Sequence, residues 1–194
     1  PHIAGDAGGT WVAVVGQGSP LFSRSTDDGI TWSNPLPLDP NALVDRTFFP
    51  SDLRTDGAGT WVAAGSTFDD ATETTQVWVS RSNDGGQSWS SLATLSSFAI
   101  SSPLDTRLAT DGAGTWLLAT YGLALFKSVD GGASWTGPLA AGSQFDNGTF
   151  PDIAHDPSGW FLAWWDFQAL DILVSRSVDG SSWTPPVLVN SRIP

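Results

Sequence analysis

The chain has no cysteine and no methionine among its 194 residues. Without cysteine it has no disulfide framework and no thiol chemistry. Tyr121 is its only tyrosine and Glu73 its only glutamate. Cations are few: 8 Lys plus Arg stand against 20 Asp plus Glu, giving a formal net charge of −12. A chain this acidic is a poor partner for nucleic acid or an anionic membrane surface. No run of about 18 apolar residues is present, so no membrane span is expected, and no signal peptide is visible. The chain opens on Pro1 without a Met and reads as a piece of something longer. The lack of cysteine suits an extracellular or cell-surface location. His2 and His155 stand alone without metal-ligand spacing, so neither a metal nor another cofactor is expected. No segment has helical periodicity.

What is abundant is glycine, 21 residues, and tryptophan, 11. Much of both falls in a repeated stretch, Ser-x-Asp-x-Gly-x-(Ser/Thr)-Trp. It occurs as Ser25–Trp32, Ser82–Trp89, Ser128–Trp135 and, one residue short, Ser177–Trp183. The Ser and Asp side chains of such a stretch accept backbone N–H groups and close a turn. Its glycine supplies positive φ, and its Trp buries a large apolar area. Asp27, Asp84, Asp130 and Asp179 are therefore structural, and Trp32, Trp89, Trp135 and Trp183 are expected as buried anchors. Arg24, Arg81, Lys127 and Arg176 precede the four copies at one repeat position and read as rim cations.

A second block, a Gly-rich turn followed by Trp and apolar residues, precedes each copy. Its tryptophans Trp11, Trp61, Trp116 and Trp160 are 50, 55 and 44 residues apart. Such periods, with several strands in each, are propeller spacings. Each repeat reads as four strands. They are His2–Gly5, Thr10–Val15, Leu21–Ser25 and Thr31–Ser33 onward in the first. The second has Asp52–Thr55, Thr60–Ala64, Val77–Ser82 and Ser88–Leu92. The third has Arg107–Thr110, Thr115–Thr120, Leu123–Ser128 and Ser134–Gly137. The fourth has Asp152–His155, Trp160–Trp165, Ile172–Ser177 and Ser182–Pro185. The reading is all-β: a β-propeller of four blades, each an antiparallel meander. The blades cover about 1–46, 47–101, 102–147 and 148–194 of one domain, as a complete ring or part of a larger one. Ile193-Pro194 repeats Phe150-Pro151, and Pro1–Ala4 resembles Pro151–Ala154, which points to further blades or end-to-end self-assembly.

The Ser-x-Asp stretches resemble the Asp-box, or bacterial neuraminidase, repeat. The resemblance covers all four repeats. It implies a β-propeller with the boxes on the outer rim, in a family spanning sialidases, xyloglucanases, sortilin-type receptors and bacterial lectins.

In a meander, connections A–B and C–D lie at one end of every blade, and here they are the two uniform blocks. Connections B–C and D–A vary, and function sits most often on variable loops carried by a rigid scaffold. Tyr121 and Trp165 fall at equivalent positions after strand B of neighbouring repeats and are candidate stacking residues flanking one groove. Asp166 and Asp146 are candidates for bonding sugar hydroxyls. One position on strand A reads His2, Asp52, Arg107 and Asp152. Its side chains are expected to converge on the central channel.

Sialidases resemble one another in an arginine triad, a Tyr/Glu nucleophile pair and an Arg-Ile-Pro start. Here Tyr121 and Glu73 lie on different blades and Arg192-Ile193-Pro194 is at the wrong end, so no catalytic set is defined. The reading is an extracellular, non-catalytic binding or scaffold propeller with a glycan or protein partner. The alternatives are a sialidase-like or other glycoside hydrolase, or a fragment of one, and a structural repeat of a surface or fibre protein.

Overall fold

A computed structural model describes residues 1–16, 18–42, 46–100, 102–139 and 148–190. They form four sheets of four antiparallel strands, each in simple meander order. The first sheet holds β1 (His2–Gly5), β2 (Trp11–Val15), β3 (Leu21–Ser25) and β4 (Leu36–Pro37). The second holds β5 (Thr47–Thr55), β6 (Trp61–Asp69), β7 (Thr74–Ser82) and β8 (Ala93–Phe98). The third holds β9 (Thr106–Thr110), β10 (Trp116–Thr120), β11 (Ala124–Ser128) and β12 (Thr136–Leu139). The fourth holds β13 (Gly148–Asp156), β14 (Gly159–Asp166), β15 (Asp171–Ser177) and β16 (Val187–Leu188). A 3-10 turn, Tyr121–Leu123, interrupts the third hairpin, and no α-helix occurs among the described residues. The first strands stand side by side, β1 against β5, β5 against β9 and β9 against β13, so each sheet is the blade of a propeller.

The core lies between blades. Val12, Val14 and Phe22 of the first meet Leu53, Trp61 and Trp78 of the second. Val62, Val77 and Val79 of the second meet Leu108, Trp116 and Phe126 of the third. Leu117, Ala119 and Leu125 of the third meet Ile153, Trp160 and Leu162 of the fourth. This alternation along each strand sends one set of side chains forward and the other back, as a pleated sheet buried on both faces requires.

Two expectations are corrected. The fourth strand of a blade does not begin at the repeated turn: β4, β8 and β16 start four or more residues after its Trp. The turn spends its backbone donors on its own Asp and makes a single bridge, such as Ser90 N–H to the Arg81 carbonyl at 2.8 Å, before the ladder resumes. Nor are the turn tryptophans fully buried. Trp32 is 39% exposed, and Trp89, Trp135 and Trp183 are half-buried. Each of these three packs on the preceding blade, as Trp89 does on Phe22 with ring centroids 5.9 Å apart. They are inter-blade contacts. The buried tryptophans are Trp61, Trp78, Trp116, Trp160 and Trp164, on the strands themselves.

Candidate functional site

The repeated turns close on themselves. In the second copy, Asp84 Oδ1 accepts Ser82 Oγ–H at 2.7 Å and the N–H groups of Gln87 and Ser88 at 3.0 Å; Oδ2 accepts Ser88 Oγ–H at 2.6 Å. Asp27 and Asp130 make the same bonds to Thr31 and Ser134. Bonds from the Thr31 and Ser134 hydroxyls hold the Asp27 and Asp130 carboxyls at about 2. Backbone N–H groups of Ser182 and Ser181 do the same for Asp179. At Asp84 partial burial opposes the shift, but the Ser88 bonds prevail and the value is again about 2. These carboxylates are saturated by the turn and have little left for a ligand.

The strand-A position places His2, Asp52 and Arg107 on the adjacent strands β1, β5 and β9, with Asp152 further along on β13. Asp52 is buried, and burial raises its pKa against the pull of its bonds. Its Oδ1 accepts Leu53 N–H at 2.8 Å and sits 3.2 Å from the Arg54 guanidinium; its Oδ2 accepts Leu108 N–H of the next blade at 2.9 Å. Arg107 donates to the carbonyls of Ser51 and Thr106 at 3.2 and 2.9 Å. Burial lowers the His2 pKa, opposed by the negative charge of Asp52. This cluster joins the second blade to the third. Both oxygens of the Asp52 carboxylate are taken up within the protein.

Open clefts lie beside the repeated turns, and one more lies at the variable end. A groove of about 250 Å³ runs between blades, walled by Tyr121, Phe150, Pro151, Pro103, Thr149 and Asp105. Tyr121 is 46% and Phe150 66% exposed. Trp165 lies behind Phe150, near-parallel to it with centroids 6.2 Å apart. Tyr121 and Phe150 wall the groove, whereas Trp165 is not among its lining residues. Phe150 has φ of 49°, in the left-handed region that a bulky residue seldom occupies. The strain coincides with a register shift between Thr149 and Asp152 that re-aims the strand. An exposed aromatic ring held by a strained bulge at a groove is the outlier pattern found at binding sites.

Asp166 caps its own turn, accepting N–H from Gln168 and Ala169 at 2.9 Å. Asp146 lies outside the described residues. Sequence reasoning missed Phe150 and Asp105. A signal for Phe150 was present: Phe49-Pro50 occurs at the same place in the second repeat, and both Phe-Pro pairs lie at or beside bulges.

No protein-family model matches the sequence, and no curated protein matches it. Solved structures do. The α-L-arabinofuranosidase of Fusarium graminearum, from glycoside hydrolase family GH93 and solved with arabinobiose, matches with a TM-score of 0.68 and 13% identity. The match covers 96% of this chain and 64% of that one. The α-L-arabinanase of Penicillium chrysogenum complexed with arabinobiose matches with a TM-score of 0.66 and 16% identity, over 98% and 66% of the two chains. The intramolecular trans-sialidase of Ruminococcus gnavus with oseltamivir carboxylate gives 0.61 and 13%, over 98% and 70%. The fold is that of the β-propeller enzymes. At these identities the likeness concerns the fold, and the chain spans about two-thirds of the length of the two arabinan-associated enzymes.

Proposed function

We propose that this chain is the sugar-binding part of an Asp-box propeller of the glycoside hydrolase kind, extracellular or at the cell surface, taking a neutral sugar chain in the Tyr121–Phe150 groove. The observation that carries the reading is the pair of exposed rings, with Phe150 held in strained backbone and backed by Trp165. Aromatic faces stack on the C–H faces of sugars, and Asp105 and Thr149 in the same wall supply hydroxyl partners. The structural neighbours are glycoside hydrolases and related sugar-acting enzymes, which favours this reading over a non-catalytic scaffold.

Charge favours a neutral sugar. An acidic sugar needs free arginines. Arg46 is paired with Asp69 at 2.7 Å, Arg54 with Asp52, and Arg107 with two carbonyls. A net charge of −12 also repels anions. Hydrolysis would require two carboxyl groups about 5–10 Å apart. Asp105, exposed, is the one carboxyl among the groove's lining residues. The test is calorimetric titration with neutral arabino-oligosaccharides and with a sialoside. Binding of the neutral chain, lost in Tyr121→Ala and Phe150→Ala at unchanged melting temperature, is expected. Tight sialoside binding that survives both substitutions would overturn the proposal.

A further inference from the structure

One wall of the groove is a segment without a strand of its own. Ser102, Pro103, Leu104 and Asp105 lie between β8 and β9, and none of them is part of a sheet. Main-chain groups with no ladder must find other partners when they are buried. Here the partners are side-chain hydroxyls, one from each of four strands. On β7, the Thr75 hydroxyl donates to the Ser102 carbonyl at 2.9 Å and to the Ile100 carbonyl at 2.7 Å. On β6, Ser66 Oγ accepts the Leu104 N–H at 2.9 Å. On β10, the Thr120 hydroxyl donates to the Asp105 carbonyl at 3.0 Å. On β5, Ser51 Oγ accepts the Thr106 N–H at 3.2 Å, where the wall runs into β9. Thr75, Ser66 and Thr120 are fully buried, and Ser51 is nearly so.

The row of hydroxyls is not part of the repeated scaffold. Ser66 occupies the repeat position of Tyr121 and Trp165, and Thr120 occupies that of Gly65 and Trp164. The other blades are built without a hydroxyl at either place. These two occur where the groove is.

The row also acts on the right groups. Thr120 immediately precedes Tyr121, so its bond ties the Asp105 main chain to the strand end that carries the Tyr121 ring. The Asp105 carboxylate takes none of these bonds and is exposed at the groove. The fixing therefore falls on its main chain and leaves both carboxylate oxygens for a ligand. An unmade bond at a buried carbonyl is costly, so each hydroxyl holds its stretch of wall in one place.

We infer that Thr75 and Thr120 are positioning residues of the groove. Their hydroxyls set the wall from Ser102 to Asp105, and with it the Asp105 carboxylate, relative to the Tyr121 and Phe150 rings. Recognition by directed hydrogen bonds tolerates displacements of only about 0.5 Å, so a wall released from its hydroxyls loses its grip on a sugar. The inference rests on the sugar-binding reading and deepens it.

Paired substitutions test this. Thr75→Val and Thr120→Val keep the side-chain shape and remove the hydroxyl. Thr75→Ser and Thr120→Ser keep the hydroxyl and remove a buried methyl group. Both kinds lower the melting temperature, so melts alone do not separate them. Calorimetric titration with a neutral arabino-oligosaccharide, well below the melting transition, does. The Val variants are expected to bind about tenfold more weakly than wild type, and the Ser variants like wild type. Val variants that bind like wild type, or Ser variants that lose as much as the Val variants, overturn the inference and leave the sugar-binding reading standing. A wild type that binds no sugar overturns that reading and the inference with it. The two pairs lie on different strands, so where one variant does not fold the other pair decides.

Discussion

Leu117 and Phe161 hold the same place in neighbouring blades, directly after a strand-opening Trp, yet the structure assigns them opposite roles. Leu117 is fully buried, with Gly180 of the next blade pressed against its side chain. Phe161 is half-buried, with the Arg176 guanidinium over its ring. Truncating a buried Leu to Ala costs about 2–5 kcal/mol, because the close-packed joint cannot collapse into the cavity. For a chain of this size each kcal/mol lowers the melting temperature by about 2–4 °C. Leu117→Ala should then melt about 6–12 °C below wild type at ~3 kcal/mol. Phe161→Ala removes an exposed cation–π contact worth about 0.5–1 kcal/mol, and its melt should move by at most about 4 °C. Circular dichroism melts read both. Equal losses for the two variants would refute the reasoning, because they would mean that Phe161 is packed as closely as Leu117.

Asp84→Ala deletes four hydrogen bonds of an exposed turn and should cost about 1 kcal/mol, the scale of a lost helix cap, read in the same melts. The turn carboxylates have folded pKa values of about 2, below the ordinary 3.8, so their stabilisation is present above about pH 4 and is lost as pH falls toward 2. An acid titration followed by tryptophan fluorescence should show unfolding in that window, and Asp84→Asn should make it shallower; an unchanged acid limb would contradict the assignment. Gly65→Ala should prevent folding of the second blade, because a Cβ there meets the Phe49 carbonyl and the Trp78 ring, and soluble expression of a normally melting variant would contradict it. Trp32→Ala should destabilise far less than Trp61→Ala, since Trp32 is 39% exposed and Trp61 is fully buried.

The blade architecture was legible because it is periodic. The Ser-x-Asp turn and the Gly-Thr-Trp block recur in register, and each marks a connection between strands by local chemistry alone. The direction in which the turn tryptophans point was not legible. Their burial comes from the preceding blade, a contact 67 residues away from Trp89 to Phe22, that no local pattern encodes. The same holds for the fourth strands, where local side-chain bonds compete with the ladder and delay its start. At the groove, Tyr121 was legible as an aromatic on a variable loop. Phe150 was not, because the register shift that exposes it depends on pairing with β14. The repeat placed His2, Asp52, Arg107 and Asp152 at one position of the first strands, but the saturation of Asp52 required the Leu108 N–H from the next blade.

The most direct test of the sugar-binding account is a crystal structure of the chain soaked with a neutral arabino-oligosaccharide. The account predicts sugar density in the groove, stacked on Tyr121 and Phe150 with Asp105 within hydrogen-bond distance of a hydroxyl. Density at the end of the blades that carries the Ser-x-Asp turns, with the groove empty, would contradict it.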